Sequence, residues 1–116
     1  MDLQITEKLL SDQRVVLTLN GRLNAVTAPD LKAQLKRLAK GGHVQLVIDL
    51  TDVPFIDSSG LAALVSGLKA IREAGGTLKL AGLNEQARTV LTLTMLDRVF
   101  EMYPDAEAAL EALPAA

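Results

Sequence analysis

The sequence predicts an α/β fold: a mixed, mostly parallel β-sheet of about five strands flanked by about four helices. Three features predict it. Short β-branched, alternating or uniformly apolar stretches take turns with stretches of 3.6-residue periodicity, in the order β-β-α-β-α-β-α-β-α. The run Leu46-Val47-Ile48 is apolar throughout, as a central strand covered on both faces requires. The glycine pairs Gly41-Gly42 and Gly75-Gly76 close two periodic segments where a helix must stop. Strand–helix–strand order implies parallel neighbours with right-handed crossovers, and the opening hairpin adds an antiparallel pair.

Residues 3–10 alternate apolar and polar side chains and read as the first strand. Val15-Val16-Leu17-Thr18-Leu19 is the second, with the break Ser11-Asp12-Gln13 suggesting a hairpin and Asn20-Gly21 ending the strand. Thr27-Ala28-Pro29-Asp30 opens the first helix. Thr27 is placed to cap, Pro29 suits the first turn, and Asp30 complements the positive end of the dipole. Leu31, Leu35 and Leu38 recur on one face, and Lys36, Arg37 and Lys40 suit the negative end. Residues 44–50 form the central strand. Asp57-Ser58-Ser59-Gly60 opens a second helix whose apolar stripe is Leu61, Leu64, Val65, Leu68 and Ile71. Residues 77–81 give the next strand, 84–93 a shorter helix, 99–102 a short last strand, and 105–113 a last helix. The apolar face of that last helix is Ala106, Ala109, Leu110 and Leu113. Pro114-Ala115-Ala116 reads as a frayed end.

The chain of 116 residues fits one domain, 1–116, and can bury a core without staples. Hydrophobic residues are 49% but aromatics only 3%, so aliphatic side chains must fill that core. There is no Cys, which excludes a disulfide framework, a thiolate nucleophile and a Cys-based zinc site. The net charge is −2 with no basic stripe, so no direct nucleic-acid binding is expected. The start Met1-Asp2-Leu3-Gln4-Ile5 lacks the pattern of a secretory signal, and no apolar run could span a bilayer. The reading is a soluble, cytoplasmic protein without membrane insertion.

In an open α/β sheet, sites gather where strands end and helices begin. Here that junction is Pro54-Phe55-Ile56-Asp57-Ser58-Ser59-Gly60. Serine hydroxyls beside a helix N-terminus lie next to free N–H groups and partial positive charge, a setting that can hold a phosphate. Asp57, Ser58 and Ser59 are equally good capping residues, so from the residues alone both readings stand. Asp49 and Asp52 suit a strand end and its turn better than a metal. The first strand lacks the acidic pair a phosphoryl-accepting aspartate would want. His43, the single histidine, follows a glycine pair and reads as a surface loop residue. No G-x-S-x-G, P-loop or G-x-G-x-x-G occurs. Nothing assembles an enzyme, and no cofactor is expected.

Phe-Ile-Asp-Ser-Ser-Gly-Leu, residues 55–61, resembles the signature loop of the STAS domain family, which includes the bacterial anti-sigma-factor antagonists. The resemblance extends along most of the chain. Gly21-Arg22-Leu23-Asn24 with Thr27-Ala28 is similar to the family's turn into its first helix. Val47-Ile48-Asp49-Leu50 with Val53 resembles its central strand, and Gly75-Gly76 with Leu78-Lys79-Leu80 its next turn and strand. The resemblance implies a single STAS domain that binds an anti-sigma factor with serine kinase activity, and so frees a sigma factor. The kinase would phosphorylate Ser58 and end the interaction, and a serine phosphatase would restore it. Asp57, Ser59, Gly60 and Leu61 would shape the loop, with Arg22 and Asn24 beside it on the partner-facing surface. Asn24 stands where the family commonly has Asp, and Arg22 where antagonists often have an acidic residue. Two other readings remain: a soluble STAS subunit of a membrane-transport complex, with Ser58 a structural cap, and a small-ligand or nucleotide binder using the same helix end.

Overall fold

The computed structural model describes residues 3–10, 14–43 and 45–114. Among the described residues five strands lie in one sheet: β1 (Gln4–Leu9), β2 (Arg14–Asn20), β3 (Gln45–Asp52), β4 (Thr77–Ala81) and β5 (Glu101–Tyr103). Four helices connect and follow them: α1 (Ala28–Lys40), α2 (Ser58–Glu73), α3 (Glu85–Leu93) and α4 (Ala106–Glu111). The sheet order is β1-β2-β3-β4-β5. β1 runs antiparallel to β2, and the other pairs are parallel. The predicted mixed, mostly parallel class is the one observed. The hairpin break at residues 11–13, the first residue of the predicted central strand, Val44, and the last two residues of the predicted frayed end lie outside the described residues.

Strand side chains alternate between two faces, and each face has its own core. Val15, Leu17, Leu19, Leu46, Ile48, Leu50, Leu78 and Leu80 join α1, α2 and α3 in the larger core. Val16, Val47 and Ala81 join Ala109 and Leu113 in a smaller core under α4. Val47 is therefore covered on the face opposite Leu46 and Ile48, and all three are fully buried. Arg14 ties α4 down by donating to the carbonyls of Leu110 (3.2 Å), which also accepts the Leu113 N–H, and of Leu113 (3.5 Å).

Both glycine pairs end their helices as predicted. Gly42 (φ +81°) and Gly75 (φ +84°) occupy the left-handed region where a Cβ is disfavoured. The N–H groups of His43 and Gly76 then reach back to the carbonyls of Leu38 and Ile71, satisfying the last turns. His43 is half-buried at this end of α1.

Four expectations are corrected. The last strand is Glu101–Tyr103, shifted from 99–102, because a 3-10 turn (Leu96–Arg98) precedes it and Phe100 turns into the main core. The register sets Glu101 against Lys79, whose buried ammonium bonds Glu101 and the Tyr103 hydroxyl. The last helix is shorter than 105–113, with Asp105 as its cap, accepting from the Ala108 N–H at 2.8 Å. Val65 is 38% exposed, outside the core stripe of α2. Thr27 does not cap through its side chain. Its hydroxyl donates to the Arg22 carbonyl at 2.8 Å, and Asn24 Oδ1 accepts from the Val26 and Thr27 N–H groups at 3.0 and 3.2 Å.

Candidate functional site

The site forms where β2 and β3 end side by side. Beyond the sheet the chain segments stay joined. The Gly21 N–H donates to the Asp52 carbonyl at 3.1 Å, the Leu23 N–H to Phe55 at 3.0 Å, and the Asp57 N–H to Leu23 at 3.1 Å. Leu23 and Ile56 thus form an isolated parallel bridge, and both side chains are buried. The loop at residues 21–24 and the loop at 53–57 are one unit.

The second loop is held from its other side by α3. Gln86 accepts from the Ile56 N–H at 3.1 Å and donates to the Ile56 carbonyl at 3.0 Å, so one side-chain amide stands in for a neighbouring strand. Asn84 donates to the Pro54 carbonyl at 3.1 Å while capping α3 through the Ala87 N–H at 2.9 Å. The sequence reading did not single out Gln86; a glutamine thirty residues from its partner carries no local signal.

Asp57 caps α2. Its backbone is extended, and Oδ1 accepts the Gly60 N–H at 3.0 Å. Gly60 is buried where a Cβ would meet the Leu23 carbonyl and side chain at 2.7–2.8 Å, so only glycine lets the helix start this close to the Leu23–Ile56 bridge. Leu61 is buried in the main core, anchoring the first turn from below.

With the cap supplied by Asp57, both serine hydroxyls are left without a hydrogen-bond partner among the described residues. They lie on different sides of α2. Ser59 is half-buried and lines a cleft toward α1 with Ala25, Ala28 and Ala62. Ser58 is exposed and lines a groove toward Thr94 and Leu96. Arg22 is exposed on the joined loop, its guanidinium 6.0 Å from the centre of the Phe55 ring. Asn24 is half-buried, its oxygen committed to its own loop. The structure thus brings Arg22 and Asn24 beside Asp57, Ser58 and Ser59, and sets Gly60 and Leu61 beneath them.

Among the described residues there is no group of three His, Asp or Glu side chains suited to a metal ion, and no helix is long and apolar enough to cross a membrane. Asp49 spends its carboxylate on the Thr51 N–H (3.0 Å) and hydroxyl (2.6 Å), a turn at the strand end.

Residues 2–109 match the family model of the STAS domain. The chain is similar to an anti-sigma factor antagonist from Mycobacterium paratuberculosis, with TM-score 0.85 and 28% identity over 96% of this chain and 93% of that one. It is similar to a candidate anti-sigma factor antagonist from Thermotoga maritima, with TM-score 0.87 and 33% identity over 94% and 93% of the two chains. In sequence it is 29% identical to the anti-sigma-B factor antagonist of Bacillus subtilis strain 168 over 101 residues, 87% of this chain and 92% of the relative. Because the match runs through both joined loops and all five strands, the chain belongs to the STAS domain family.

Proposed function

We propose that this chain is an anti-sigma-factor antagonist acting as one STAS domain. It binds an anti-sigma factor with serine kinase activity through the joined loops, and phosphorylation of Ser58 ends the interaction. A serine phosphatase reverses the modification. The chain is then a substrate of enzymes and performs no catalysis itself. One observation carries the choice of residue: Ser58 is exposed and unbonded at the first position of α2, because Asp57 has taken over the cap. The relatives named as antagonists support the role.

The electrostatics suit a block at the interface. A phosphate adds about −1.5 to −2 charge next to Asp57. The helix end tolerates it, favouring negative charge by about 0.3–1 kcal/mol. Against one partner carboxylate about 6 Å away, at an effective dielectric near 40, the same charge costs about 3 kcal/mol. That is on the order of a hundredfold in affinity.

A pull-down from native lysate with wild type and Ser58→Asp tests the reading. Wild type should retain an anti-sigma kinase that Ser58→Asp loses, and incubation with that kinase and ATP should place phosphate on Ser58 by mass spectrometry. Phosphate on Ser59, or retention of transporter subunits in place of a kinase, overturns it.

A further inference from the structure

Along α2, Ser58, Leu61, Val65 and Lys69 line one wall of a mostly apolar groove of about 530 Å³, and Thr94 and Leu96 line the other. The chain neighbours of these last two, Leu93 and Met95, are 78% and 62% exposed. Large apolar side chains so exposed beside an apolar groove mark a surface that another molecule covers.

Met95 adds a second observation. It sits just past the end of α3 with φ +61° and ψ +14°, the left-handed conformation that a Cβ disfavours. α1 and α2 place Gly42 and Gly75 at the equivalent position. Where the turn alone is needed this chain uses glycine; here it accepts a strained backbone and presents a flexible apolar side chain.

The charges select the occupant. Lys69 lines the groove, and Arg72 and Arg98 line the adjoining pocket further along α2 and the 3-10 turn. Among the described residues Lys69 and Arg98 make no ion pair, and Arg72 only reaches the Val99 carbonyl at 3.4 Å. Of the nearby acids, Glu101 is taken by Lys79, which leaves Asp97 and, one turn from Lys69 on α2, Glu73, so three cations face two acids. We propose that the groove between α2 and the 93–98 segment docks an amphipathic helix of a protein partner, its apolar ridge against Val65, Leu93 and Met95 and its acidic flank toward Lys69, Arg72 and Arg98. Ser58 lies at the end of this groove away from those cations, so a phosphate there repels the acidic flank where the partner helix passes the first turn of α2. The inference rests on the reading of the Ser58 surface as partner-facing.

The probe is a synthetic 18-residue helix with a leucine ridge and glutamates on its flanks, compared with the same ridge flanked by lysines. It is titrated into 15N-labelled full chain at low salt. The acidic peptide should shift resonances of residues 58–69 and 93–98 and bind at least tenfold more tightly than the basic one. Met95→Gly should weaken it at least fivefold with the melting temperature unchanged or raised, Leu93→Ser should weaken it likewise, and Ser58→Glu should weaken it further at low salt than at high. No binding, equal affinity for both peptides, shifts confined to other faces, or full affinity in both Met95→Gly and Leu93→Ser overturns the proposal. Peptide binding without capture of an anti-sigma kinase keeps the groove and overturns the functional reading. Capture of that kinase without peptide binding does the reverse.

Discussion

The Leu23 carbonyl oxygen lies 2.7 Å from the point that a Cβ on Gly60 would occupy. Helix propensity favours Ala over Gly by about 0.5–1 kcal/mol, but forcing a methyl into a filled site costs about 1–3 kcal/mol. Gly60→Ala should therefore lower stability on urea unfolding and shift the amide resonances of Leu23, Ile56 and Asp57 together. Unchanged stability with unmoved resonances would show that the two loops part freely.

Asp57 and Ser58 should separate stability from modification. Asp57→Ala removes the cap of α2 and should cost about 0.5–2 kcal/mol. Ser58→Ala, at an exposed and unbonded hydroxyl, should stay within about 0.5 kcal/mol of wild type. Chemical denaturation of both variants measures this, and an equal loss in the two would place Ser58 in the cap.

Asn24→Asp keeps the acceptor that holds the Val26 and Thr27 N–H groups and adds negative charge just ahead of α1. A gain of about 0.3–1 kcal/mol is expected from the helix dipole. It should vanish when the new carboxylate is protonated, so melts at neutral pH and near pH 3 provide the check. A loss at neutral pH would mean that the Asn24 amide nitrogen has a role in the loop.

Lys79 ties the sheet edge to the pH scale. Burial pulls its pKa down, but the hydrogen bonds and charge of Glu101 and the bond to Tyr103 outweigh that and hold it above the ordinary value of 10.5. The folded-state pKa is thus the higher one. This contribution is complete below pH 10.5 and is lost as pH rises through the folded-state value. Lys79→Met should remove that alkaline component of the urea midpoint, with Tyr103→Phe controlling for the phenol. An identical alkaline loss in Lys79→Met would assign the effect to other groups.

Val47 is fully buried in the core under α4. Val47→Asp places an unpaired carboxylate there at a cost of several kcal/mol, against a total stability of about 5–15. The variant should lack a cooperative melt by circular dichroism. A normal melt would mean that α4 lifts off and lets water in.

The parts legible in the sequence are those set by local pattern. Leu46, Val47 and Ile48 announce a strand covered twice, and Leu61, Leu64, Leu68 and Ile71 announce the stripe of α2, because burial acts on every residue of such a run. The loop at 55–61 was legible through its resemblance. Contacts between distant segments were not. Thr27 is a good capping residue by type, yet its hydroxyl is drawn back to Arg22 by the loop that precedes it. Val65 fits the helical period but lies over a groove, since α3 and the 3-10 turn do not close against it. The shift of the last strand to 101–103 follows from the 3-10 turn and from Phe100 entering the main core, and it sets Glu101 and Tyr103 beside Lys79. Which of Asp57, Ser58 and Ser59 caps α2 depends on where Gly60 meets Leu23, and neighbouring residue types do not encode that.

Strand order in space repeats strand order in sequence, from β1 at one edge to β5 at the other. No strand has to be inserted between two already paired, so the sheet can lengthen by accretion as the chain leaves the ribosome, each arrival finding an open edge. The loops that carry Ser58 and Arg22 belong to the third and second additions. They can be zipped together before β4 and β5 exist, and the later arrival of Gln86 closes the second loop from its free side.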